Sequence, residues 1–73
     1  FGAVVAHSVR ALGVSEDIVN IHGGGIAIGH PIGASGARLV VHAAHELARR
    51  GSGLAVAAIC IGVGQGLAVV LER

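Results

Sequence analysis

Pro31-Ile32-Gly33-Ala34-Ser35-Gly36-Ala37-Arg38-Leu39-Val40-Val41-His42-Ala43-Ala44-His45-Glu46-Leu47-Ala48-Arg49-Arg50 is the stretch that decides the fold. Leu39, Val40, Ala43, Ala44 and Leu47 recur at spacings of three and four, with Ser35, Arg38, His42, His45, Glu46 and Arg49 between them. That period is the mark of an amphipathic helix. Pro31 suits a first helical turn, where its missing N–H is no loss. Arg49 and Arg50 suit a last turn, where cations complement the helix dipole. Gly51 fits the residue just past the end. The spacing therefore predicts a helix over residues 31–50.

Downstream, residues 54–61 and 67–71 are apolar and rich in Ala and β-branched side chains, and Gly62-Val63-Gly64-Gln65-Gly66 separates them. Two strands around a turn are predicted. Residues 54–71 also form an 18-residue stretch without a charge, close to the ~20 that span a bilayer. The interruption by Gly62, Gly64, Gln65 and Gly66 favours a buried hairpin over a membrane segment.

Upstream, Phe1, Val4, Val5, Val9 and Leu12 mark one face of a short helix over residues 1–12, with Gly13 as its cap. Ser15, Glu16 and Asp17 read as a polar turn. Residues 18–21 read as a short strand, Gly23-Gly24-Gly25 as a break, and Ile26-Ala27-Ile28 as a small apolar run ending at Gly29-His30-Pro31. The predicted order is helix, short strand, helix and two-strand hairpin, an α/β arrangement in a single domain portion covering 1–73.

Composition narrows the function. The 73 residues include 13 Gly, one aromatic residue and 12% charged residues, about half the ordinary ~25%. A solvated disordered tail is excluded. Mean hydropathy is +0.82, and with one Cys there is no internal disulfide. A core this small rarely supplies more than ~3–5 kcal/mol without a staple. The expectation is a segment of a longer chain that buries its faces against the rest. Net charge is +1, all five basic residues are Arg, and only Arg49 and Arg50 adjoin. Nucleic-acid binding is therefore not expected, for want of a basic patch and an aromatic platform.

Two stretches could carry chemistry. Residues 23–36 hold six glycines in fourteen residues, with His30 near the end. Glycines let backbone approach a ligand closely, and a following helix N-terminus favours developing negative charge. The spacing matches neither phosphate-loop fingerprint, and the chain has no Lys. A tight turn with His30 as an ordinary polar residue fits nearly as well. The second stretch is Ile59-Cys60-Ile61-Gly62-Val63-Gly64-Gln65-Gly66. Its thiol is either a small buried hydrophobe or, with a His brought near by the fold, an activated cysteine. His42 and His45 lack a third ligand at metal-binding spacing, and no metal site is expected. His22 borders the glycine run, His7 suggests nothing, and Glu16 and Asp17 suit a turn.

Taken together, Val19-Asn20-Ile21-His22-Gly23-Gly24-Gly25-Ile26-Ala27-Ile28-Gly29-His30-Pro31-Ile32-Gly33-Ala34-Ser35-Gly36-Ala37-Arg38 and Cys60-Ile61-Gly62-Val63-Gly64-Gln65-Gly66 resemble the two C-terminal signatures of the thiolase family. That family comprises acetyl-CoA acetyltransferases and 3-ketoacyl-CoA thiolases. Gly25 stands where the family usually has Ala, and Val63 where Gly is common. The resemblance implies the end of a five-layered α-β-α-β-α fold. It implies an acyltransferase that cleaves 3-ketoacyl-CoA with coenzyme A or condenses acetyl-CoA, in lipid metabolism such as β-oxidation. It implies His30 as a catalytic and oxyanion-hole donor, Cys60 as the acid/base thiol, and the Gly62 N–H as a second oxyanion-hole donor. A nucleophilic Cys, a water-holding Asn and most of the coenzyme A surface belong to the upstream part of the family's chain, and Phe1 would end the stretch that carries that Asn. Coenzyme A and acyl-CoA are implied as substrates, with no tightly bound cofactor. The implied partners are the remainder of the chain and further copies in a homodimer or homotetramer. The implied compartment is the cytoplasm, or in a eukaryote the mitochondrion or peroxisome. A non-catalytic thiolase-like fragment, structural or lipid-carrying, is the alternative.

Overall fold

A helix forms over residues 35–50 because its apolar side chains share one stripe. In the computed structural model, which describes all residues Phe1–Arg73, that stripe is Ser35, Leu39, Ala43 and Leu47, each four residues from the last. Ser35, Ala43 and Leu47 are buried and Leu39 is half-buried. The secondary-structure elements are α1 (Gly2–Leu12), a 3-10 turn (Glu16–Ile18), α2 (Gly24–Ile28), α3 (Ser35–Arg50), β1 (Leu54–Ile61) and β2 (Gln65–Glu72). They fall into two compact units, Phe1–His30 and Pro31–Arg73.

In the second unit, α3 begins four residues later than the Pro31 start expected from the sequence. Pro31 instead turns the chain ahead of the helix. Its carbonyl accepts the N–H groups of Ala34 and Ser35, both at 2.9 Å, and the Ser35 hydroxyl at 3.1 Å. Gly33 and Gly36 lower the helical propensity of this stretch, and three donors on one carbonyl make a tight turn the better use of the chain. Ser35, expected on the polar face, is 1% exposed, since its hydroxyl is satisfied locally. At the other end Gly51 takes a left-handed φ of 88° and donates to the Leu47 carbonyl at 2.9 Å. In the last turn Glu46 accepts from Arg49 Nε at 2.9 Å and Arg50 Nε at 2.7 Å.

The strands pair antiparallel, from Leu54 opposite Glu72 to Ile61 opposite Gln65. Gly53 and Arg73 exchange two further 3.0 Å bonds at the open end. Both strands lie within one residue or two of the expected bounds at their outer ends. β2 starts earlier, at Gln65, so the connection shrinks to Gly62-Val63-Gly64. Alternation along β1 half-buries Ala55, Ala57 and Ile59. These share a face with Leu71, Val69 and Leu67 of β2, and that face packs on α3, chiefly through β1. Between helix and sheet an open groove of about 510 Å³ is lined by apolar side chains including Leu39, Val40, Ile59 and Leu67. The opposite face presents Leu54, Val56, Ala58 and Cys60 with Ala68 and Val70, and nothing in the chain covers it: Leu54, Val56 and Val70 are exposed. The apolar 18-residue stretch is thus a hairpin, and no helix is long and apolar enough to cross a membrane.

In the first unit, α1 ends as its sequence predicts. Gly13 has φ 64°, its N–H donates to Arg10 O, and Val14 N–H donates to Val9 O, both at 3.3 Å. This double closure is the Schellman arrangement. Val5 and Val9 form the half-buried part of its stripe, while Phe1, Val4 and Leu12 are exposed. The strand expected over residues 18–21 does not form. The Ser15 hydroxyl accepts the Asp17 N–H at 3.2 Å and starts a 3-10 turn that runs through Ile18. Asn20 then takes a left-handed φ of 49°, which no strand allows. The glycine triplet, expected as a plain break, opens a helix: Gly23 has φ 95°, and the five-residue α2 follows.

Candidate functional site

The candidate residues stand in two places, one in each unit. His30 closes the first unit. It follows α2 and Gly29, whose φ of 84° and ψ of 178° lie in a region open only to glycine. His30 is therefore placed by a backbone reversal that a side chain at position 29 would oppose, and it is exposed. The expectation that His30 stands at the start of a long helix needs correction. It follows the short α2, and four residues, Pro31 to Ala34, separate it from α3.

Cys60 stands in the second unit, next to last in β1. Its thiol is free and exposed, on the sheet face turned away from α3. The residue directly opposite is Gly66, so no cross-strand side chain covers the sulfur. Two residues on, the turn is built from Gly62, Val63 at φ 66° and Gly64 at φ 73°. The turn's own backbone bonds leave the Gly62 N–H unused. The Gly62 carbonyl is tied down by the Gln65 side chain, whose Nε2 donates to it at 2.8 Å. Sequence reasoning placed Gln65 in the motif but gave it no task. Its signal was position, the one long polar side chain within reach of a glycine-rich turn.

The remaining titratable residues form no second centre. His42 and His45 are exposed on α3, and no three His, Cys, Asp or Glu side chains are grouped as a metal would require. Glu16 and Asp17 occupy the 3-10 turn, as their sequence context predicts. An apolar groove of about 350 Å³ in the first unit, between α1 and residues 16–26, carries Glu16 and Asn20 as its only polar side chains.

Helices followed by a two-stranded antiparallel hairpin place the chain in the α/β class. Comparison with known proteins narrows the class. Residues 1–73 match the family described as thiolase, C-terminal domain, and the chain belongs to the thiolase family. Among its relatives, a probable acetyl-CoA acetyltransferase of Mycolicibacterium smegmatis is 63% identical over all of this chain and 19% of its own length. A 3-oxoadipyl-CoA/3-oxo-5,6-dehydrosuberyl-CoA thiolase of Escherichia coli K12 is 52% identical over all of this chain and 19% of its own. The cytosolic acetyl-CoA acetyltransferase of the rat is 51% identical over all of this chain and 18% of its own. The chain thus spans about a fifth of the length of these relatives. No solved structure matches it.

Proposed function

We propose that this chain supplies the acid/base and oxyanion-binding part of a thiolase active site, in a protein that moves acyl groups between coenzyme A and the α-carbon of an acyl-CoA. The observation that carries the reading is the exposed Cys60 thiol beside the Gly62 turn in a chain 63% identical to an acetyl-CoA acetyltransferase segment.

In the condensing direction, Cys60 as thiolate takes a proton from the α-carbon of an acetyl-CoA, and the carbanion charge moves onto the thioester oxygen. His30 donates a hydrogen bond to that oxygen. The carbanion attacks the acyl group held on a nucleophilic cysteine elsewhere in the whole protein, and the Gly62 N–H donates to the acyl oxygen as the tetrahedral centre forms; that centre then collapses, its C–S bond breaks, and the nucleophilic cysteine leaves as thiolate. In the cleaving direction the same groups act in reverse, with Cys60 returning the proton to the departing carbon. Donors already in place favour the charged state because nothing must reorganise as charge develops. A thiol suits the proton transfer because its ordinary pKa is not far from neutrality. Coenzyme A and acyl-CoA are substrates here, with no resident cofactor required. The uncovered apolar faces of the hairpin and α1 meet the rest of the protein, which assembles as a homodimer or homotetramer and works in the cytoplasm or, in a eukaryote, a fatty-acid-degrading organelle.

The test is His30→Ala in the whole enzyme. Loss of a preorganised donor of this kind lowers kcat by roughly 10²-fold or more, read as acetoacetyl-CoA thiolysis. Rates near those of the unaltered enzyme would favour the non-catalytic alternative.

A further inference from the structure

One residue, Gly29, joins α2 to His30. The Gly29 N–H donates to the Gly25 carbonyl at 2.8 Å, so the helix holds its nitrogen. Peptide planarity leaves only φ and ψ free to turn. Two rotations, both within Gly29, therefore stand between the anchored nitrogen and the His30 amide. They take the values φ 84° and ψ 178°, a combination essentially confined to glycine. On its other side His30 precedes Pro31, whose ring keeps the preceding residue extended. The glycines of this run differ in what requires them. A Cβ on Gly23 would stand 2.5 Å from the Ala27 Cβ, and one on Gly24 2.6 Å from Asn20 Cγ, whereas one on Gly29 would meet nothing within 4 Å. At position 29 it is the backbone conformation, not lack of space, that calls for glycine.

We infer that Gly29 is a positioning residue for the reaction, its glycine-only backbone setting where His30 presents the imidazole. The inference rests on the reading of His30 as the oxyanion donor given above. An L side chain at position 29 drives φ back to negative values. With the nitrogen held by Gly25, that rotation is taken up on the C-terminal side, where His30 begins, and the imidazole is carried with it. A donor displaced by about 1 Å costs rate on the order of 10²-fold. His30 acts on charge that develops only during proton transfer at the α-carbon, so the loss falls on kcat. Contacts to the distant parts of an acyl-CoA are untouched, which spares KM.

The experiment measures thiolysis kinetics and thermal unfolding of the whole enzyme for Gly29→Ala, His30→Ala and the two changes together, and for a protein given D-alanine at position 29 by peptide ligation. Mirror inversion reverses both signs of φ 84° and ψ 178° and lands in ordinary extended backbone. D-alanine therefore adds the same methyl while keeping the native conformation. Gly29→Ala is expected to lower kcat about tenfold or more with KM within about twofold, and D-alanine to restore kcat to within about threefold of the unaltered enzyme. Once His30 is already replaced, Gly29→Ala should cost less than about twofold, because residues that act as a unit are not additive. Normal kcat in Gly29→Ala with His30→Ala impaired overturns the inference and leaves the site reading in place. An equal loss from Gly29→Ala in both backgrounds also overturns it, since its action then does not pass through His30. An equal loss from D-alanine does so too, by making the methyl and not the backbone responsible. A Gly29→Ala protein that does not fold overturns it in favour of a structural role. Full activity in His30→Ala removes the site reading itself, and the inference falls with it.

Discussion

Val63 is the residue at which this chain departs most from what its backbone asks. The left-handed region costs an L-residue about 1–2 kcal/mol, and Val63 sits there with its side chain fully exposed and no packing in return. The thiolase pattern commonly has Gly at this place, which the geometry explains. Val63→Gly is expected to raise the melting temperature of the whole protein, the gain staying near ~1 kcal/mol because Gly also loses more freedom on folding. A lowered melting temperature would show that the turn is not strained. Gly23 is the converse case. It has φ 95°, and a Cβ there would stand 2.5 Å from the Ala27 Cβ, which α2 holds in place. Gly23→Ala is expected to destabilise by about 1–3 kcal/mol, read as a lower urea midpoint. No change would mean that the start of α2 yields easily.

Among the elements, α3 is best specified, and its C-terminal turn carries a measurable pH signature. Hydrogen bonds from Arg49 and then Arg50 hold the Glu46 carboxyl down from its ordinary 4.5 to about 2. A lowered folded-state pKa means that the unfolded chain takes up the proton first. The contribution is complete above about pH 4.5 and is lost as pH falls toward about 2. Both arginines are more than half exposed, so the effect is small and weakens with salt. Melting temperature followed across that window should slope less for Glu46→Gln than for the unaltered protein, most clearly at low ionic strength. Identical slopes would place the acid sensitivity elsewhere. The hairpin is specified in a different way. Alternation fixes which residues share a face, while the three-residue turn fixes the register, since a slip of one would exchange Ala55, Ala57 and Ile59 for Val56, Ala58 and Cys60.

At the scale of the molecule the dominant feature is exposed apolar surface. Only Ser35, Ala43 and Leu47 are buried, while Leu54, Val56, Leu67, Val70 and several residues of the first unit stand exposed. Apolar patches of this extent on a protein mark surfaces that meet other protein. Relatives five times as long have the chain to cover them. The 73 residues alone are expected to bind a hydrophobic dye strongly, to melt without a sharp transition, and to show no acetoacetyl-CoA thiolysis. A cooperative melt with weak dye binding, or turnover by the pure chain, would show that they need no further protein.

The sequence by itself determined the elements whose signals are local and periodic. These are α1 with its Gly13 cap, the body of α3 through Gly51, and two strands around a glycine turn. It also pointed to His30, Cys60 and Gly62, because long ordered motifs carry more information than composition. Tertiary structure decided what depends on hydrogen-bond partners and on left-handed backbone. Residues 18–21 have strand propensity, yet the Ser15 cap and Asn20 at φ 49° turn them. Pro31 could open a helix, yet its carbonyl serves Ala34 and Ser35 ahead of one. Gln65 looked like an interruption, yet its carboxamide holds the Gly62 carbonyl. Periodicity reports which face a residue occupies. Which carbonyl a side chain will reach depends on the path of the turn, and only the folded chain fixes that path.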